Sequence, residues 1–229
     1  MKILFITYDF PYPLTSGGKI RAFQMIRYLA KAHEITLFSY IRTQPVETAM
    51  AKVRPFCRKI ELFPRGKAWS FRHLMTAGSS LRPGAIAHYV NPSFERSLVT
   101  ELTREKYDAV HFESFYASLY LPLVKSLGVK TVLGNENVEY EVYQRFIENL
   151  RGIKRYALLP LLKYDLFKMQ RFEKERWRQA DVNLAVSGED AKIISTAAAS
   201  PVIVVPNGVD TESFSYSFPE INNQNDLLF

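Results

Sequence analysis

Two short stretches of this 229-residue chain hold residue types whose spacing could do chemistry. The first is "TSGGK" (15–19), where Gly17 and Gly18 precede a helical pattern. Lacking side chains, they would let the backbone approach an anion closely, and a helix N-terminus offers free N–H groups and a favourable dipole. Lys19 and Arg21 put positive charge in the same segment. The alternative is a loop that needs glycine for positive φ alone. The pattern is not G-x-G-x-x-G, so a nicotinamide or flavin cofactor is not indicated. The second stretch is "LGNENVEYE" (133–141), which carries Asn135, Glu136, Asn137, Glu139 and Glu141 in quick succession. Carboxylates can orient hydroxyls or act as bases when their pKa is shifted. Glu136 and Asn137 are the catalytic candidates, and Asn135 and Glu139 would line the same cleft. The competing reading is a helix N-terminus, where acids interact well with the dipole.

Other chemistries find little support. His33, His73 and His88 stand apart from any cluster of acids or cysteines, and no zinc spacing occurs. His111, with Glu113 two residues on, sits late in an apolar run and could border a cleft or belong to the core. No G-x-S-x-G elbow supports a serine hydrolase. Ser187 followed by Asp190 reads as a helix cap and Asn207-Gly208 as a tight turn, although Ser187, Asn207 and Asp210 also stand where a cleft could use them.

The elements that must position these residues alternate. "KILFITY" (2–8), "EITLFSY" (34–40), "KIELF" (59–63), "YDAVHFE" (107–113), "VKTVLGN" (129–135), "DVNLAVS" (181–187) and "PVIVVP" (201–206) are apolar runs of strand length. Between the first two, Ala22, Phe23, Ile26, Leu29 and Ala30 fall on one helix face. Helix is expected over most of 68–105, broken near Pro83 and Pro92, over 114–128, over about 138–180, and over 188–199. On the long region Leu159, Leu162, Leu166 and Met169 repeat at three and four residues, with bases on the other faces. The expected fold class is α/β: a doubly wound, mostly parallel, Rossmann-like sheet of about seven strands with helices on both faces.

Composition agrees with a folded domain: 47% of residues are apolar and 14% aromatic. One cysteine, Cys57, excludes an internal disulfide framework and fits a reducing compartment. No secretory signal or membrane-length apolar run is present, so the chain reads as soluble and cytoplasmic. The net charge of +7 is concentrated between 145 and 178, where ten bases stand against four acids. Such a patch suits nucleic acid, an anionic membrane surface or a phosphorylated substrate, or it is a solvated helix face. No nucleic-acid-binding signature accompanies it, so nucleic acid ranks below a peripheral contact at the inner face of a membrane.

Taken in order, several segments resemble the N-terminal half of the retaining GT-B glycosyltransferases of the family 4 type. They are "PYPLTSGGKIRAFQMIRYLAKAHEITL", "YDAVHFE", "LGNENVEYEVYQRF", "FEKERWRQADVNLAVSGEDAKII" and "VIVVPNGVDTESF". The resemblance implies an acceptor-binding domain over 1–206, a linker over 207–225, and at 226–229 the start of a donor-binding domain that this sequence does not contain. It implies transfer of a sugar from a nucleotide-sugar donor to a sugar or lipid-linked cell-envelope acceptor, with no metal and no cofactor bound by this half. Gly17 and Gly18 would lie near the donor diphosphate. Many members carry a histidine where this sequence has Glu136, so Glu136 and Asn137 take over that position. The half alone would be inactive. A stand-alone binding module with a basic membrane- or polyanion-binding segment, and a sugar-nucleotide epimerase of the same architecture, are the alternatives.

Overall fold

Apolar runs too short for a helix and bounded by polar turns fold as strands when both sheet faces are covered. The computed structural model describes residues 1–44, 47–66, 82–151, 154–209 and 211. The strands are β1 (Lys2–Thr7), β2 (Glu34–Ile41), β3 (Lys59–Pro64), β4 (Ala109–Glu113), β5 (Thr131–Asn135), β6 (Val182–Ala185) and β7 (Val202–Val204). They form one sheet in the order β3-β2-β1-β4-β5-β6-β7, and every pair is parallel. All seven expected strands are present, a residue or two shorter at several ends.

The helices are α1 (Gly17–Leu29), α2 (Glu47–Val53), α3 (Gly84–Ala87), α4 (Pro92–Arg104), α5 (Leu121–Ser126), α6 (Glu139–Asn149), α7 (Lys154–Gln179) and α8 (Gly188–Ser195). The break expected near Pro92 is present: α3 ends at Ala87 and Pro92 opens α4, because the first helical position needs no N–H and the Asn91 side chain accepts from Ser93 and Phe94. Two other stretches differ from expectation. The run 114–128 opens as 3-10 turns over Phe115–Tyr120 before α5, and Gly128, at φ +76°, ends it. The region 138–180 is two helices, not one. Helix α2 was not anticipated, and 67–81, part of the expected helical insert, lies outside the described residues.

Side-chain alternation along β1 divides the core. Leu4 and Ile6 join Phe38, Phe112, Leu133 and Trp177 on one face, while Ile3 and Phe5 join Ile26, Ile35 and Leu37 on the other. Trp177, fully buried on α7, donates through Nε1 to Asn135 Oδ1 at 2.8 Å and so locks α7 to the end of β5. Strand order reverses at β1, which has β2 on one side and β4 on the other. Ligands of such sheets bind in the crevice beyond the carboxyl ends of the strands at that switch point.

Candidate functional site

The carboxyl ends of β1, β4 and β5 and the first turn of α1 meet at this crevice. Ser16 caps α1, its hydroxyl accepting from Lys19 N. Gly17 and Gly18 open the helix, and neither has positive φ, so the alternative of a loop that needs glycine for its backbone angles does not hold. Gly18 is there for space. A Cβ on it would lie 2.4 Å from the Tyr8 hydroxyl and 2.6 Å from Glu136 Oε2. The carboxylate that leaves β5 therefore packs directly on the start of α1.

Glu136 is part-buried, and its Oε1 has no hydrogen-bond partner although solvent does not reach it. Burial, and then the charges of Glu113 and Glu139, push its carboxyl up to about 7, with Arg21 opposing. Beside it, Glu139 is also raised, chiefly by burial, against hydrogen bonds from Tyr116 and Asn137. The Tyr116 hydroxyl donates to Glu139 Oε2 at 3.0 Å.

Arg21, one turn into α1, is 7% exposed. Its Nε donates to Glu113 Oε1 at 2.9 Å. Its Nη1 donates to Val205 O at 3.0 Å and to Asn207 Oδ1 at 2.9 Å, while buried Nη2 has no partner. Asn207 is thus held by Arg21, and no tight turn forms at Asn207-Gly208. Glu113, wholly buried, also faces His111 Nε2 at 2.5 Å, and His111 stacks on Phe5 with ring centroids 4.3 Å apart. Gly134 makes room for this cluster: a Cβ there would meet Glu113 Oε2 at 2.6 Å. A glycine inside a strand marks such an approach, and was the signal that could have disclosed the cluster. Ser114, at φ 85°, turns the chain sharply after Glu113.

The structure separates the candidate residues into groups. Gly18, Arg21 and Glu136 converge on the crevice, with Glu139 at its edge. Gly17 and Asn137 are exposed at its rim, and Lys19 pairs with Asp9 at 3.3 Å. Asn135 is 1% exposed and spends its amide on Trp177 and Leu184, so it is structural. His111 and Glu113 form a buried support beneath Arg21. Ser187 caps α8, accepting from Asp190 N at 3.0 Å, which is its local role. Asp210 lies outside the described residues.

Sequence reasoning missed the neighbouring cavity. It has a volume of about 680 Å³ and is lined by Tyr8, Asp9, Tyr12, Lys19 and Arg42 among others. The polar residues just after β1, "YDFPYP", were its available signal. On the other flank of α1 a more apolar cavity of about 500 Å³ runs between Ile20, Met25 and Tyr28 and the segment Val205–Val209. Among the described residues no group of three or more His, Cys, Asp or Glu is arranged to hold a metal ion.

A family model described as Glycosyltransferase Family 4 matches residues 15–213. No curated protein matches the chain by sequence. Among solved structures, UGT71G1 of Medicago truncatula complexed with UDP-glucose is 13% identical with a TM-score of 0.51, over 96% of this chain and 54% of that one. UGT89C1 of Arabidopsis thaliana complexed with UDP-L-rhamnose is 11% identical with a TM-score of 0.52, over 96% and 55%. UGT2 of Phytolacca americana complexed with UDP-2fluoro-glucose and pterostilbene is 9% identical with a TM-score of 0.50, over 90% and 54%. At such identity the likeness is one of fold. The chain spans about half the length of these structures.

Proposed function

We propose that this chain, which belongs to glycosyltransferase family 4, is the acceptor-side half of a two-domain enzyme that moves a hexosyl group from a nucleotide sugar to an acceptor with retention. The observation that carries the reading is a pair of unpartnered buried atoms in the crevice. Arg21 Nη2 is a donor and Glu136 Oε1 an acceptor, and each needs a polar partner that the described residues do not supply. A ligand bearing hydroxyls and phosphate oxygens would satisfy both once the two side chains turn toward it, since solvent reaches neither atom in this arrangement.

The chain's own groups take distinct parts in this scheme. The first-turn N–H groups of α1, at Gly17 and Gly18, favour negative charge and would face the leaving diphosphate. Glu136, half-protonated near neutrality, can donate to or accept from a hydroxyl of the acceptor as the transition state requires. The cavity of about 680 Å³ beyond Tyr8 is large enough for a sugar unit of the acceptor, with Lys19 and Arg42 at its wall. Arg21 is a positioning residue that holds Glu113 and Asn207 together. The donor-binding domain would follow residue 225 and cover the apolar surface at Ile20, Tyr28 and Val209. Retention fits a mechanism in which the leaving phosphate receives the acceptor proton, so Glu136 would act by hydrogen bonding to and orienting the acceptor hydroxyl and need not be the base that keeps its proton.

The test uses a longer polypeptide that includes a following domain, with nucleotide diphosphate release measured from UDP- and GDP-sugars. Glu136→Ala should lower kcat by about a hundredfold or more. The 229-residue chain should show no transfer. Transfer by that chain at the rate of the longer polypeptide would sink the two-domain reading.

A further inference from the structure

We infer that the outer surface of the α6–α7 pair is a docking site for a bilayer carrying anionic headgroups. Helices α6 and α7 pack against each other. Leu166 is part-buried and Met169 buried, and they turn toward the core as the helical period requires. The opposite surface is not uniformly polar. Phe146 on α6 is 54% exposed, and on α7 Leu158, Leu161, Tyr164 and Phe167 are 49%, 52%, 41% and 56% exposed. Single exposed apolar residues are ordinary, but Leu161, Tyr164 and Phe167, spaced by three, form an outward ridge about 120° wide on one helix, with Phe146 exposed on its neighbour.

Charge says what would cover that ridge. Arg145, Arg151, Lys163 and Arg171 stand exposed among these residues, and among the described residues none has an ion-pair partner. Between 142 and 171 the acids are Glu148, which is exposed, and Asp165, which is bound to Lys168. Protein interfaces deplete charge at their centres and match sign against sign. An apolar ridge interleaved with bases of one sign fits instead a plane that offers hydrocarbon beneath a layer of negative charge. Tyr and Phe suit that depth. Phe146 lies seven residues from Glu139, about 10 Å along α6, so the ridge begins beside the mouth of the crevice.

The test is flotation of the purified protein with vesicles of phosphatidylcholine alone and of phosphatidylcholine with phosphatidylglycerol. Binding should require phosphatidylglycerol and fall steeply with added salt. Neutralising Lys163→Gln and Arg171→Gln should weaken it about fivefold per base. The pair Phe146→Ser and Phe167→Ser should weaken it tenfold or more without changing the melting temperature, since neither side chain is in the core. Independently, Phe167→Trp should shift its emission to the blue with anionic vesicles alone. Equal flotation with both vesicle types, or binding unaltered by both pairs of substitutions, would overturn the proposal. So would self-association that the Phe substitutions abolish in the absence of vesicle binding, which would assign the ridge to a second copy. None of these results bears on the crevice, whose reading rests on Arg21 and Glu136.

Discussion

Replacing Glu136 with glutamine tests the crevice through stability, without any substrate. In the folded chain its carboxyl is raised from 4.5 to about 7, by burial first and then by Glu113 and Glu139. Below pH 4.5 the group is neutral in folded and unfolded states and contributes nothing. As pH rises from there to 7, the unfolded chain ionises while the folded one holds its proton, so stability falls through that window. Above 7 both are ionised and the loss is complete. A shift of that size corresponds to about 3 kcal/mol. Glutamine keeps the shape and has no proton to lose. Urea unfolding of both proteins across the pH range should therefore give equal midpoints at the acid end. The midpoint of Glu136→Gln should then rise progressively above the parent's, reaching a gap of about 1 M in neutral and basic buffer. Glu173, pushed up to about 8 by burial despite two N–H bonds from the start of α6, titrates in both proteins and cancels in the difference, whereas the repulsion between Glu139 and Glu136 is removed with the carboxylate and is part of the gap. Parallel curves, or a gap largest in acid, would show that Glu136 is solvated and that the unpartnered oxygen is not a buried one.

Two further substitutions probe its neighbours. Arg21→Met removes the cation that Glu113 faces at 2.9 Å inside the core, and should cost about 3–5 kcal/mol in chemical denaturation. A cost below about 1 kcal/mol would mean that water reaches Glu113 and replaces the lost partner. Gly18→Ala puts a methyl 2.4 Å from the Tyr8 hydroxyl and 2.6 Å from Glu136, which must swing outward. The pH-dependent stability difference between that variant and its Glu136→Gln double should then shrink to less than half. An unchanged difference would show that the carboxylate stays in place.

Much of this molecule is written in local sequence. Seven apolar runs, each too short for a helix, are the seven strands, and the helices between them make the sheet parallel. The ordered motifs carry the family, and the concentration of charge over 145–178 is countable from the residues alone. Caps are legible too, because Ser187 acts on a residue three positions away. What the sequence leaves open is whatever depends on strand order. Gly18 and Glu136 are far apart in the chain and touch because β1, β4 and β5 lie side by side, which makes the glycine a matter of space and not of backbone angle. The same adjacency buries Glu113 under Arg21 and turns Asn135, a polar residue that looks available, into the anchor of Trp177. On α7 periodicity finds the inward face, but only packing against α6 and the sheet shows that the outward face keeps Leu161, Tyr164 and Phe167 in solvent. Hydrophobic period reports what one segment wants to bury, whereas contact between segments decides what remains exposed and which polar atoms go without a partner.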